Sequence, residues 1–155
     1  MRDSIWKSML DADMNGRYWK YLTKRYSDRE KFLKIFLAFM ASGTVAGWGL
    51  WQEFSLVWKI LSSVSAVVAI ALPILNYQKI IGQMSFLTGK WGELRIEYED
   101  LWQEVKDLNS TPNHNAAFKK HRKIEASLEK RETGLPIDNK LLKKCFEEVK
   151  KSRGI

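Results

Sequence analysis

The sequence contains little of what supports catalytic, metal or disulfide chemistry. Its one cysteine, Cys145, excludes an intramolecular disulfide and fits a reduced cytoplasmic compartment. Its two histidines, His114 and His121, are seven residues apart among basic neighbours, which favours a polar surface role over a metal site. There is no phosphate-binding loop, no glycine-rich dinucleotide turn and no nucleophile elbow. We therefore predict a protein that is not an enzyme and holds no metal or cofactor.

Charge is missing from two long stretches. Residues 35–52 and 60–78 contain no Asp, Glu, Lys or Arg, in runs of 18 and 19 residues. At about 1.5 Å per residue each run would be ~27 Å long as a helix, close to the ~30 Å hydrocarbon thickness of a bilayer. We predict an all-α fold with a membrane hairpin over residues 35–78, its spans covering 35–52 and 57–78. The alternative is a buried hairpin in a soluble bundle, since core helices can also be apolar on every side.

The remaining sequence is basic, with a net charge of +8. Lys and Arg exceed Asp and Glu by four in residues 1–34 and by four in 76–155, and balance them in 52–59. Because cationic flanks stay on the cytoplasmic side, we expect both termini in the cytoplasm. The N-terminal stretch lacks the layout of a signal peptide, so the first span is expected to direct insertion. Aromatic residues suited to the outer interface cluster at the connecting turn: Trp48, Trp51, Phe54 and Trp58.

Residues 1–34 are predicted to form cytoplasmic amphipathic helices. The first is expected over residues 4–14, where Asn15-Gly16 interrupts it. The next segment, RYWKYLTKRYSDREKF, places aromatic side chains on one face and basic side chains around the others. Such a helix suits either an anionic membrane surface or packing against a neighbouring helix. Ser27 and Glu30 have capping-box spacing, which favours a helix boundary or a kink near Ser27.

A 3.5-residue apolar repeat begins where the second span ends. Apolar residues recur at alternating steps of four and three over residues 80–108, which is the pattern of a coiled coil. We predict one helix from about residue 55 to 109, with residues 79–109 forming a cytoplasmic coiled coil between copies of the chain. The residues assigned to this oligomer seam are Ile80, Met84, Leu87, Leu94, Leu101 and Val105. The alternative is the core of an intramolecular bundle, packed on the N-terminal helix.

Residues 110–155 are predicted to form a C-terminal helical layer. The segment NSTPNHN, residues 109–115, is a turn by composition, with Pro112 as its stop. A basic helix is expected over residues 116–132, ended by Gly134 and Pro136. Asp138 can cap a last helix. Its apolar side is expected to carry Leu142, Cys145, Phe146 and Val149.

Small residues in the two spans indicate helix–helix contacts. Gly43 and Gly47 form a GxxxG pair, which lets helices approach closely. In the second span the phase of the heptad repeat selects four further residues: Ser63, Ala66, Ile70 and Pro73. In a ring of copies these residues would line a narrow, mostly apolar constriction, of the kind that gates by dewetting. The alternative is that the small residues only pack helices tightly and enclose no pore.

Basic residues outside the spans are candidates for binding an anionic signal such as a nucleotide, through its phosphates. They are Arg17, Lys20, Lys24, Arg25, Lys119, Lys120 and Arg122. The alternative for these positions is a solvated charged face.

The order of these parts carries a resemblance to a known family. The segments RYWKYLTKRYSDREKFLKIFLAFMASGTVAGW and QKIIGQMSFLTGKWGELRIEYEDLWQEV, on either side of the second span, resemble the SLATT group of two-span membrane proteins from prokaryotic conflict systems. The resemblance covers about residues 15–108 and rests on architecture, since the group has no catalytic signature. It implies a pore-forming anti-phage effector of the bacterial inner membrane, opened by a signal such as a nucleotide from a partner enzyme. Two alternatives remain, a membrane-anchored adaptor and a phage holin.

Overall fold

The computed structural model describes residues 1–50, 55–108 and 112–154, with side-chain surroundings for residues 1–42, 56–57, 59–105 and 113–154. Within these residues the protein contains no strand, so the predicted all-α fold is confirmed. The helices are α1 (Arg2–Leu50), α2 (Ser55–Leu75), α3 (Tyr77–Leu108), α4 (Pro112–Glu132) and α5 (Asn139–Arg153). The chain divides into two compact units: unit 1 contains Met1–Thr23 and Gly82–Ile155, and unit 2 contains Lys24–Ile81.

Helix α1 is continuous from Arg2 to Leu50, so the expected interruption at Asn15-Gly16 and the expected boundary near Ser27 are wrong. A glycine inside a helix costs about 1 kcal/mol relative to alanine. At Gly16 this cost is offset by close packing, because a Cβ atom at Gly16 would lie 3.7 Å from the backbone nitrogen of Gly92 on α3. Packing between helices therefore outweighs the local preference for a break.

The helix predicted to run unbroken from about residue 55 to 109 is interrupted at Asn76. Lys59–Leu75 and Tyr77–Val105 are bent by 46° with respect to each other. Asn76 has a φ angle of 44°, in the left-handed region that asparagine tolerates better than most residues. Pro73, in the last turn of α2, lacks an N–H group, and its ring clashes with the carbonyl one turn earlier. The proline and the asparagine together explain why the helix ends here.

Unit 1 is a bundle formed by the first part of α1, the part of α3 from Gly82, α4 and α5. The Trp6 and Trp102 rings lie 5.2 Å apart and Gly16 approaches Gly92, so α1 and α3 run antiparallel. Pairs such as Tyr98–Glu125 and Trp91–Glu132 show that α4 also runs antiparallel to α3. Pairs such as Arg17–Ser152 and Tyr21–Glu148 give the same relation between α5 and α1. The bundle therefore has an up-and-down topology.

The heptad stripe of α3 is the centre of this bundle. Seven of its side chains are 0–8% exposed: Met84, Leu87, Trp91, Leu94, Tyr98, Leu101 and Val105. The other buried apolar side chains of unit 1 come from α1, for example Ile5 and Leu22, and from the segment 128–149. At five of the six residues assigned to an oligomer seam the structure thus corresponds to the intramolecular alternative, because side chains so deeply covered have no surface to offer a second copy. The sixth, Ile80, is half-buried and belongs to unit 2.

The C-terminal segment differs from the prediction in two details. Pro112 is the first residue of α4 and not a stop, in agreement with the preference of proline for the first helical position. The Asp138 cap is confirmed, since its Oδ1 accepts a hydrogen bond of 2.9 Å from the backbone N–H of Leu141. The buried face of α5 consists of Leu141, Cys145 and Val149. Phe146, expected on that face, is 50% exposed.

Candidate functional site

Unit 2 has an exposed apolar surface, which we treat as its candidate functional site. Eleven of its large apolar side chains are between 48% and 75% exposed: Phe32, Ile35, Phe39, Leu56, Val57, Ile60, Val64, Val67, Ile70, Ile74 and Leu75. Single exposed apolar residues are ordinary on a soluble protein, whereas eleven on two helices of one compact unit indicate an interaction surface. We call this set the apolar surface.

The residues predicted to line a constriction lie on α2, where Ile70 is itself part of the apolar surface and the other three are outside it. Ser63, Ala66, Ile70 and Pro73 are all exposed in the single chain. The Ser63 hydroxyl donates to the Lys59 carbonyl oxygen at 2.8 Å, so its polar hydrogen is satisfied within the helix. This strip is therefore accessible to lipid, to water or to another helix.

Two other predicted features of the spans fall outside what the structure describes. Gly43 and Gly47 belong to the helical backbone of α1, and their side-chain surroundings are outside the described residues. The surroundings of the aromatic cluster at the connecting turn, Trp48, Trp51, Phe54 and Trp58, lie outside them as well. Where the structure is described, no helix taken singly has both the length and the apolar composition of a membrane span. The bent pair Lys59–Leu75 and Tyr77–Val105 meets both requirements together.

In unit 1 a single carboxylate joins three helices. Glu132 Oε1, at the end of α4, accepts hydrogen bonds from Trp19 Nε1 of α1 at 2.7 Å and from Trp91 Nε1 of α3 at 2.8 Å. Burial raises the pKa of the Glu132 carboxyl, and the two indole bonds offset part of that rise. No sequence motif indicated this arrangement, because it depends on residues 41 and 113 positions apart in the chain.

A second polar cluster connects α3 and α4 around Glu125, which is 5% exposed. Tyr98 donates its phenolic hydrogen to Glu125 Oε2 at 2.9 Å, and Arg122 Nη1 donates to the same oxygen at 2.7 Å. Burial and the bond to Glu125 raise the pKa of the Tyr98 phenol. Arg122, a predicted anion-binding residue, is therefore engaged in neutralising a buried carboxylate of its own chain.

Arg17 is engaged in a similar way at the contact between α1 and α5. Its Nε donates to Asp13 Oδ1 at 2.9 Å, and its Nη2 donates to the Ser152 hydroxyl at 3.1 Å. The bond to Asp13 raises the pKa of the Arg17 guanidinium. The remaining anion-binding candidates are exposed: Lys20, Lys24, Arg25, Lys119 and Lys120.

The histidines occupy the contact between α3 and α4, not the open surface expected for them. His114 is 8% exposed, and its Nε2 lies 3.7 Å from Glu104 Oε2. His121 Nε2 lies 3.5 Å from Glu97 Oε2. In the part of the chain that the structure describes, no three His, Cys, Asp or Glu side chains group closely enough to hold a metal ion.

Comparison with known proteins adds no relative. No protein-family model matches the chain, and no significant match was found among curated proteins or solved structures.

Proposed function

We propose that this chain is a membrane effector whose two spans, joined with those of further copies, provide an ion-permeable path through the bacterial inner membrane. A cytoplasmic cue, for which a nucleotide made by a partner enzyme is our candidate, would open this path during anti-phage defence. Both termini and unit 1 would lie in the cytoplasm. The observation that carries the proposal is the apolar surface of unit 2.

The energetics of that surface favour lipid. Full burial of one large apolar side chain contributes about 1.5–3 kcal/mol, so burying the exposed parts of such a set contributes on the order of 10 kcal/mol. Residues 60–75 of α2 contain no charged side chain and extend over about 24 Å at the standard helical rise. The hydrocarbon core of a bilayer is about 30 Å thick, so this stretch would cover most of its depth.

The proposed association between copies must use the membrane segment. The heptad side chains are consumed by the core of unit 1, whereas the strip with Ser63, Ala66, Ile70 and Pro73 is exposed. Small residues permit close approach of helices in lipid, where van der Waals packing replaces the hydrophobic effect as the driving force. We therefore assign the contacts between copies, and any constriction, to this strip of α2.

Membrane potential and cysteine accessibility test the proposal together. Cells that express the full chain are followed with a voltage-sensitive dye while a charged, thiol-specific methanethiosulfonate reagent is added. The variants are Ala66→Cys on the strip and Val67→Cys, the adjacent exposed residue of the apolar surface. The wild type is the background control, because its one thiol, Cys145, is buried.

With the cue supplied by phage infection, we expect all three chains to depolarise the cells and the reagent to block this depolarisation in the Ala66→Cys chain alone. Equal sensitivity of the Ala66→Cys and Val67→Cys variants would contradict a constriction at this strip. A purified chain that stays monomeric in detergent and passes no ions in vesicles, with or without added nucleotides, would refute the ion-permeable path.

A membrane-anchored adaptor is the second candidate, and the self-contained core of unit 1 favours it. A folded module whose apolar residues are covered within one chain can present a binding surface without assembling with other copies. This candidate predicts an unchanged membrane potential and recovery of a specific partner with the detergent-solubilised full chain. The effector proposal predicts the reverse for the potential.

A further inference from the structure

The exposed side chains of unit 2 change from charged to apolar at one level of α1. Between residues 24 and 34 the exposed side chains include Lys24, Arg25, Arg29, Lys31 and Lys34. From Ile35 to Ser42 no charged side chain follows, and Ile35 and Phe39 are 69% and 67% exposed. The transition is complete within about one helical turn, although Phe32 already interrupts the charged part.

From α2 to α3 the order along the chain is reversed, so that exposed apolar side chains come first and polar ones follow. Ile74 and Leu75 are 75% and 50% exposed, and the exposed polar residues Gln78 and Lys79 follow after the break at Asn76. A side-chain contact joins the polar sides of the two transitions, since the rings of Tyr26 and Tyr77 lie 5.9 Å apart.

A shallow cavity of about 220 Å³ makes the same connection between the helices. Its walls include Glu30 and Lys34 from α1, and Leu72, Pro73 and Asn76 from the end of α2 and the break after it. The two charged-to-apolar transitions therefore lie side by side in unit 2.

The polar side of this level has a strong positive charge. We define the basic collar as its six cationic residues: Lys24, Arg25, Arg29, Lys31, Lys34 and Lys79. The acidic residues of the same segments are Asp28 and Glu30, and Glu30 is paired with Lys34 at 2.6 Å. The Arg29 guanidinium lies 5.8 Å from the centre of the Tyr26 ring. The collar and these two carboxylates together have a net charge of +4. The rings of Tyr26 and Tyr77 beside them are of the kind found at membrane interfaces.

We infer that the basic collar binds the head groups of anionic phospholipids, such as phosphatidylglycerol, in the cytoplasmic leaflet. This inference rests on the membrane location proposed above. It adds the ligand of the basic collar, which borders the apolar surface. An anionic phospholipid presents a negative phosphate and an acyl chain next to each other, as the collar and the apolar surface do. A nucleic acid would match the positive charge but not the adjoining apolar side chains.

The test measures lipid selectivity of the full chain. The protein is purified in nonionic detergent and titrated with phosphatidylglycerol or phosphatidylcholine, and bound lipid is counted by native mass spectrometry. The collar variant is Arg29→Gln, Lys31→Gln and Lys79→Gln combined. The matched control combines Lys119→Gln, Lys120→Gln and Lys123→Gln, which removes the same charge from exposed positions of α4.

We expect the wild type and the α4 control to prefer phosphatidylglycerol. The collar variant should bind this lipid about 100-fold more weakly than the wild type, because each Lys or Arg near an anionic surface strengthens binding about fivefold. Equal affinity of the wild type for the two lipids would overturn the inference. Equal weakening in both triple variants would also overturn it, by showing general charge attraction. A single-stranded oligonucleotide that displaces phosphatidylglycerol from the wild type would assign the collar to nucleic acid instead.

Alkaline carbonate extraction of membranes from expressing cells separates this inference from the proposed function. A wild-type chain that washes off the membranes would refute the membrane location, and with it both proposals. A chain that stays in the membranes but shows no lipid preference would refute the collar inference alone. Equal circular dichroism of the three chains establishes that the substitutions leave the fold intact.

Discussion

Replacement of Glu132 by alanine is expected to destabilise unit 1 more than any surface substitution. The carboxylate is the acceptor for the indole N–H groups of Trp19 and Trp91. These tryptophans are 3% and 0% exposed, so water has little access to their donors once the carboxylate is removed. The Glu132→Ala variant therefore leaves two buried donors without an acceptor.

The size of the effect follows from the cost of an unsatisfied buried donor, which is about 1–3 kcal/mol. Two donors give a loss of about 2–6 kcal/mol, and a factor of ten in an equilibrium constant corresponds to about 1.4 kcal/mol. The population of chains with unit 1 open should rise by a factor between about 30 and about 10⁴. The lower bound applies if the indoles reorient toward other acceptors.

The single cysteine provides the assay. Cys145 is the one thiol of the chain, lies on the buried face of α5 and is 0% exposed. Burial also raises the pKa of the Cys145 thiol, which slows its reaction further. In the full chain solubilised in nonionic detergent, labelling by an aromatic disulfide reagent therefore reports the opening of unit 1. The labelling rate should increase by the same factor as the open population.

Glu129→Ala is the matched control, because Glu129 is exposed on the same helix one turn before Glu132. It should change the rate by less than about twofold, as surface substitutions usually do. Labelling of the Glu132→Ala variant at the wild-type rate would refute the reasoning, and so would equal acceleration in both variants.

Three further predictions concern unit 1. The Glu132→Gln variant keeps an oxygen that accepts from the indoles but has no carboxyl group to titrate. Because burial raises the pKa of Glu132 in the folded state, the wild type should gain stability relative to this variant as pH falls from 7 toward 4. A difference in urea midpoints that stays constant over this pH range would contradict the prediction. Asp138→Ala should lower the free energy of unfolding by about 1 kcal/mol through loss of the cap, and Asp138→Ser should restore most of it in the same titrations. Gly16→Ala should leave the free energy of unfolding unchanged or raise it by about 0.5–1 kcal/mol. Gly16→Leu should lower it, because the atoms beyond Cβ would meet α3. Equal urea midpoints for the two variants would refute the close packing.

Local signals in the sequence predicted much of the secondary structure. Asp138 caps α5 as expected, because capping depends on residues three positions apart. The heptad pattern identified the buried face of α3 almost residue by residue, from Met84 to Val105. Helix α4 ends at Glu132, just before Gly134, as the composition indicated.

The predictions that were wrong depended on which other part of the molecule a local feature contacts. An apolar stripe has the same pattern whether its cover is another copy or another part of the chain, so α3 gave no information on its partner. The pair Asn15-Gly16 is typical of a helix break, and it is the contact with α3 that makes a continuous helix favourable here. The helix break at Asn76 could be predicted only from two features together, namely the proline three residues earlier and the tolerance of asparagine for a positive φ angle. The Glu132 cluster depends on three helices at once and has no local pattern.

The internal use of the heptad stripe has an evolutionary consequence. Substitutions at Met84, Leu94 or Leu101 must be compensated within the same gene, in the helices that pack against α3, and need no matching change in another protein. The exposed strip of α2 is under the opposite constraint if copies meet there, since each change alters both sides of a symmetric contact at once. In related sequences we therefore expect unit 1 to show correlated changes between distant segments, while residues 63–73 vary little or change together.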